Sequence, residues 1–278
     1  MQTTYSPLRY PGGKTKLYPC IQPIIARNLS NNAKRFYIEP FAGGAGLALK
    51  LLNHGDVDEL VLNDFDSNIY LFWKACLENA DDLCYRIITC NLNIDEWERQ
   101  HYIYTNPEHY SDLDIAFSTF YLNRCNISGI IRGGPIGGRA QSGRYKLDAR
   151  FNRDSLVKKI HDINANASRI HFFNYDALDF FSLVLPRYSP ESTFLNIDPP
   201  YVKKGPALYK NSLTEADHAL LSDHIHQLKH KWIVTYDDCE LVRQLYSDYS
   251  KSIITLNYST GHTKRGTELL IYGHSITQ

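Results

Sequence analysis

Two hydrophobic periodicities alternate along the chain. Residues 36–39 (Phe-Tyr-Ile-Glu) and 60–63 (Leu-Val-Leu-Asn) are short apolar runs closed by polar residues and predict strands, with a helix over 46–53 between them. Apolar positions recur near every 3.6 residues from about 68 to 92 and again over 112–123, predicting helices. Strand-like runs resume at 170–173, 193–197, 232–235, 252–256 and 268–272, with a helix expected over 213–230. Strands alternating with helices predict an α/β fold around a mostly parallel sheet. The strand pattern stops near Asp64 and returns near Ile170, so an inserted, mostly helical segment is expected between them.

Charge sharpens that division. Net charge is zero, with 30 basic and 30 acidic residues, yet residues 119–169 carry ten bases and three acids. Residues 51–115 carry fourteen acids and three bases. A basic block inside a neutral chain is a candidate polyanion footprint. It contains a run rich in glycine and arginine, Ser128 to Tyr145, which cannot be helical and suits a hairpin or loop with arginines at its edges.

The six cysteines are scattered and none is spaced C-x-x-C, which predicts reduced, mostly buried thiols and a cytoplasmic setting. No apolar run approaches about 18 residues and the start has no basic, then apolar, leader, so neither membrane insertion nor secretion is expected. His218, His224, His226 and His230 share one expected helix, but no Glu follows His226 as H-E-x-x-H requires, so no metal site is expected.

Three turns carry candidate chemistry. Gly12-Gly13-Lys14 lacks the upstream glycine of a P-loop but brings backbone and an ammonium to an anionic group. Glu39-Pro-Phe-Ala-Gly-Gly-Ala-Gly46 joins a strand to a helix without the third glycine of G-x-G-x-x-G, which disfavours a dinucleotide oxidoreductase. Its place still suits a nucleoside-bearing ligand, with Asp64 at the next strand end to accept from ribose hydroxyls. Asp198-Pro199-Pro200-Tyr201 follows an apolar strand. The prolines hold the chain rigidly, so the Asp198 carboxylate and Pro199 carbonyl become fixed acceptors beside the ring of Tyr201. Two acceptors and a π-face suit a planar exocyclic amine.

Taken in order, Leu8-Arg-Tyr-Pro-Gly-Gly-Lys14, Glu39-Pro-Phe-Ala-Gly-Gly44, Leu62-Asn-Asp64, Thr119-Phe-Tyr-Leu-Asn-Arg124, Gly143-Arg-Tyr-Lys146, Asp198-Pro-Pro-Tyr201 and Glu268-Leu-Leu270 span nearly the whole chain. In them the chain resembles the Dam-like, D12-class family of site-specific DNA adenine-N6 methyltransferases. The resemblance implies a Rossmann-like S-adenosylmethionine-dependent methyltransferase sheet (1–70 and 166–278). Into it is inserted a mostly helical target-recognition domain (71–165) with a Gly/Arg-rich hairpin.

By position, the resemblance implies that Tyr10 packs on S-adenosylmethionine and Lys14 pairs with its methionine carboxylate. Phe41, Gly43 and Gly44 approach the methionyl end, Asp64 holds the ribose and Asp176 receives the adenine amine. Asp198, which also counts among the cofactor-binding residues, acts with Pro199 and Tyr201 on a flipped adenine, and Arg124, Arg132, Arg139 and Arg144 contact phosphates or base edges of double-stranded DNA. Tyr10 stands where the family often has Trp. A cognate restriction endonuclease is the expected functional partner, and the chain is expected to act as a monomer. Cytosine-N4 or RNA amino-methylation on the same fold, and a catalytically silent DNA-binding relative, are the alternatives.

Overall fold

A computed structural model describes residues 4–10, 13–203, 213–260 and 262–277, without side-chain detail over 256–265. Pro11 and Gly12 of the first glycine turn lie outside the described residues. The chain forms two compact units: Met1–Gly13 with Ser67–Phe172, and Lys14–Asp66 with Phe173–Gln278. Met1–Gly13 groups with the second of the two expected segments (71–165) and not with the first.

Among the described residues, seven strands form one sheet: β1 (Phe36–Glu39), β2 (Glu59–Asn63), β3 (Ile170–Phe173), β4 (Thr193–Ile197), β5 (Lys231–Asp237), β6 (Ser250–Thr260) and β7 (His262–Tyr272). Their order is β3-β2-β1-β4-β5-β7-β6. The β1/β2, β1/β4 and β4/β5 pairs are parallel, while β7 runs antiparallel between β5 and β6. Ile38 sits opposite Val61 on one side and Leu195 on the other, and all three are fully buried. That explains why these strands read as continuous apolar runs: parallel strands covered on both faces have no polar side to show. The strand order reverses between β1 and β4, and the crevice beyond the carboxyl ends of such a switch point is where α/β sheets bind ligands. The fold is α/β, as expected.

In this unit α1 (Tyr18–Asn28) and α2 (Gly46–His54) follow the turns that begin at Lys14 and Glu39, and α8 (Ala177–Leu183), α9 (Glu215–His226) and α10 (Glu240–Leu245) connect the later strands. The helix expected over 213–230 is trimmed to α9. Thr214 and Asp217 form a reciprocal capping box at its start, and at its end the N–H of Gln227 closes onto the carbonyls of His224 and Ile225.

The other unit, which also takes in Ile170–Phe172 of β3, is otherwise mostly helical: α3 (Ser67–Glu78), α4 (Ala80–Thr89), α5 (Ile94–Thr105), α6 (Asp112–Cys125) and α7 (Arg153–Asn164). The helical region expected over 68–92 holds α3 and α4, which part at Asn79, a residue outside helical φ/ψ at the N-cap of α4. Helix α6 is buried on nearly every side, with Phe72 stacked on Phe120 at 5.8 Å and Phe151 edge-on to Phe120 at 5.6 Å. At the end of α6 two buried asparagines fasten the chain. Asn123 exchanges hydrogen bonds with the backbone of Arg9 at 2.7 and 2.8 Å and donates to the Gly129 carbonyl at 2.9 Å. Asn126 accepts from the Trp97 indole at 2.7 Å and donates to the Ile131 carbonyl at 2.7 Å.

The expected Gly/Arg-rich hairpin is not a strand pair. Between 127 and 150 there are turns and short 3-10 segments, and a single antiparallel bridge joins Asn126 to Pro135. Ser128, Gly129, Gly137 and Gly138 all take positive φ, which breaks any regular ladder. Among the described residues no helix is long and apolar enough to cross a membrane.

Candidate active site

At the carboxyl end of β1 the chain turns sharply. Gly43 (φ 47) and Ala45 (φ 45) are both left-handed, and α2 starts at Gly46. A side chain at Gly46 would run into the Thr15 hydroxyl, so the turn closes directly on the Lys14 segment. The N–H of Gly43 donates to Asp64 Oδ2 at 2.8 Å, and Asp66 N–H donates to Oδ1 at 2.9 Å. Burial, only partly countered by these N–H donors, raises the Asp64 carboxyl to about 7. Buried Asn63 ties three strand ends together: it donates to the carbonyls of Pro40 and Tyr175 at 3.0 Å each and accepts from Tyr175 N–H at 2.9 Å. Asp176 is exposed and caps α8, accepting from Leu178 N–H at 2.9 Å.

The corner at 198–201 sits at the end of β4. Lys14, in a 3-10 turn (Lys14–Leu17), is buried and points its ammonium at this corner. Its Nζ lies 2.9 Å from Asp198 Oδ2, donates to the Tyr201 hydroxyl at 2.8 Å and lies 3.7 Å from Glu268 Oε2. The resemblance implied a methionine carboxylate for Lys14; the carboxylates it meets here belong to its own chain. Glu268 is fully buried on β7. The other Asp198 oxygen, Oδ1, accepts from the Thr235 hydroxyl at 2.6 Å. Tyr201 is largely buried, its ring 6.3 Å from that of Tyr236, which in turn hydrogen-bonds His218 Nδ1 at 2.8 Å. Beneath the corner lies Glu39, whose Oε1 accepts from Tyr37 at 2.9 Å and Asn196 at 3.4 Å. Burial pushes the Glu39 carboxyl up to about 8 against the pull of those donors; Asp198 raises it further and Lys14 lowers it.

Of the residues named from sequence, Lys14, Asp198 and Tyr201 meet at this corner, and Asp64 ends β2 beside the Gly43 turn. Sequence reasoning missed Thr235 and Asp237 on β5, and it quoted Glu268 without a role. Their signal was faint: a Thr and an acid closing an otherwise apolar strand, two positions apart and so on one face. The histidines serve the fold. His218 is buried against Tyr236, and His230 Nε2 meets the Tyr188 carbonyl at 3.0 Å. Among the described residues no three His, Cys, Asp or Glu side chains gather as a metal site. Cys76, Cys84, Cys125 and Cys239 are buried free thiols.

In the helical unit Tyr10 accepts from Gly13 N–H through its backbone carbonyl at 3.1 Å. Arg132, Arg139 and Arg144 are exposed. Arg139 pairs with Glu98 at 3.1 Å and lies 5.6 Å from the Trp97 ring, and Arg144 lies 5.6 Å from the Tyr145 ring. Arg124 differs: it donates to the backbone carbonyls of Pro7 and Arg150, and burial, with nearby Arg9 adding to it, lowers its guanidinium to about 10. Arg9, also missed from sequence, donates to the Asn126 carbonyl at 3.0 Å.

Residues 10–260 match a family model described as D12 class N6 adenine-specific DNA methyltransferase. The curated Type II methyltransferase M.MjaIII of Methanocaldococcus jannaschii is 23% identical over 205 residues, covering 70% of this chain and 68% of that protein. Among solved structures, the rRNA methyltransferase aviRa from Streptomyces viridochromogenes is 12% identical, covers 96% of this chain and 87% of its own, and has a TM-score of 0.44. TrmK of M. capricolum, solved with S-adenosyl-homocysteine, is 10% identical over 93% of this chain and 70% of its own, with a TM-score of 0.39.

Proposed function

The chain belongs to the D12 class N6 adenine-specific DNA methyltransferase family, and from that membership we propose that it carries a methyl group from S-adenosylmethionine to N6 of an adenine flipped out of duplex DNA. It is an adenine-specific DNA methyltransferase, and DNA is its substrate. The observation that carries the finer reading is the corner itself, where Asp198 is held from one side by Lys14 and from the other by Thr235.

The residues present fit S-adenosylmethionine. A half-buried acid at the β2 end faces a left-handed turn at the β1 end, an acceptor for ribose hydroxyls beside backbone open to a compact methionyl group. When bound, it supplies an electrophilic sulfonium methyl. Asp64 would accept from the ribose and Asp176 from the adenine amine, Phe41, Gly43 and Gly44 would line the methionyl end, and Tyr10 would pack on the cofactor.

Extruding a base costs a few kcal/mol, and stacking on Tyr201 returns about 1–3 kcal/mol. Asp198 and the Pro199 carbonyl accept hydrogen bonds from the two N6 hydrogens. That draws the nitrogen toward sp³ and localises a lone pair otherwise spread into the ring. As the N6–CH3 bond forms and the S–CH3 bond breaks, the surplus N6 proton leaves through Asp198. Lys14 orients the Asp198 carboxylate and fixes the Tyr201 ring through its hydroxyl. Preorganised charge and position supply the rate.

Residues 71–165 form the target-recognition part in this reading, and 1–70 with 166–278 the catalytic part. Arg132, Arg139 and Arg144 meet phosphates or base edges, while Arg124 anchors their segment and lends its charge. The similarity to a type II methyltransferase supports a restriction–modification setting. The test is nucleoside analysis of unmethylated duplex DNA incubated with protein and labelled S-adenosylmethionine. N6-methyladenine carrying the label is expected; label in N4-methylcytosine, or none, overturns the reading.

A further inference from the structure

Strand β5 is buried along nearly its whole length, and Thr235 within it is fully buried. A hydroxyl in such a place costs free energy unless it is bonded, and valine would fill the same volume without that cost. The Thr235 hydroxyl donates to Asp198 Oδ1 at 2.6 Å, a short contact typical of a hydrogen bond to an ionised acceptor. Two residues on, and so on the same face of the strand, buried Asp237 accepts from the backbone N–H groups of Val202 at 3.1 Å and Lys203 at 2.9 Å. Thr235 thus holds the first residue of the Asp-Pro-Pro-Tyr corner and Asp237 holds the chain as it leaves Tyr201. Asp237 itself stands opposite Glu268 in the β5/β7 register, and Glu268 reaches toward Lys14.

We propose that Thr235 and Asp237 are positioning residues for methyl transfer, a two-point clamp on β5 that sets the plane of the Asp198 carboxylate and the path of the corner. The inference rests on the reading of 198–201 as the site that grips the adenine amine. Lys14 and Thr235 engage one oxygen each, so the carboxylate cannot rotate about its own axis, and its remaining lone pairs keep fixed directions. A carboxylate free to turn still attracts the amine but spends little time aligned with it. The cost of losing the clamp therefore falls on the chemical step and spares binding.

The experiment compares Thr235→Val, Thr235→Ser and wild type in single-turnover methylation of duplex DNA, with dissociation constants for S-adenosylmethionine and DNA measured separately. Thr235→Val is expected to slow transfer about 10- to 100-fold, the range for a hydrogen bond to a charged group, with both dissociation constants within about twofold. Thr235→Ser, which keeps the hydroxyl and loses the methyl, is expected within about threefold of wild type. Thr235→Ala reads the same loss should the valine variant fail to fold. The clamp is overturned if Val transfers as fast as wild type, or if Ser is as slow as Val, which would mean that packing and not the hydroxyl matters. Wild type in the same assay separates the two proposals: an inactive wild type overturns the adenine-methylation reading along with the clamp, whereas an active wild type matched by Val overturns the clamp alone.

Discussion

Replacing Lys14 by methionine keeps the apolar stem and removes the ammonium from between Asp198 and Glu268. At an effective dielectric of about 20, attraction across the observed 2.9 Å is roughly 6 kcal/mol, and across 3.7 Å roughly 4 kcal/mol, before the cost of desolvating the charges. Desolvation offsets much of that gain in the intact site, but the variant leaves two carboxylates without their cation, and such half-broken buried pairs cost about 3–5 kcal/mol. With a urea dependence of about 3 kcal/mol per M, the unfolding midpoint of the variant should fall by roughly 1–1.7 M. The decisive form is a double-mutant cycle in urea with Lys14→Met, Asp198→Asn and the pair. Once Asp198 is neutral, removing Lys14 should cost at least about 1 kcal/mol less than it does in the wild type. Costs that add to within about 0.5 kcal/mol would refute the ion pair and the arrangement of the corner drawn from it.

Glu39 makes stability fall as pH rises. Its folded carboxyl is held near 8 by burial while the unfolded one titrates near 4.5, so the folded protein keeps a proton that the unfolded chain releases. That contribution is complete below about pH 4.5 and is lost by about pH 8, with an upper bound of roughly 5 kcal/mol. Glu39→Gln should flatten the change in urea midpoint between pH 5 and 8, and parallel profiles would show that Glu39 is already ionised. Exposed Arg132, Arg139 and Arg144 should together reduce the logarithmic salt slope of DNA binding, by about 0.9 for each phosphate met, so roughly 2.7 at most; an unchanged slope in the triple alanine variant would place the DNA elsewhere. Arg124→Ala should lower thermal stability as well, because its guanidinium holds the Pro7 and Arg150 carbonyls, and a melt like that of wild type would contradict that bracing role.

The sheet was legible because its strands are buried on both faces: 36–39, 193–197 and 232–235 are apolar runs of strand length between turn residues. The glycine turn and the diproline corner were legible because each constrains backbone in a way few residues allow. Partnership was not. Nothing in the spacing of Lys14, Asp198 and Glu268 says that one ammonium serves both acids, since the sheet order that brings β4, β5 and β7 side by side is a long-range property. Thr235 looked like one more β-branched strand residue, and only its neighbour in space makes its hydroxyl informative. The segment 128–145 misled for a local reason. Its glycines allow a hairpin, but the side chains of Asn123 and Asn126 satisfy the carbonyls of Gly129, Ile130 and Ile131 that a ladder would have used.

The central claim is that Asp198 acts on the adenine amine and not on cofactor retention. Its direct test is Asp198→Ala, read by S-adenosylmethionine affinity and by single-turnover transfer to duplex DNA in one preparation. Affinity within a few-fold of wild type with transfer reduced to background is the predicted result. Transfer at the wild-type rate, or a loss explained wholly by weaker cofactor binding, would contradict it.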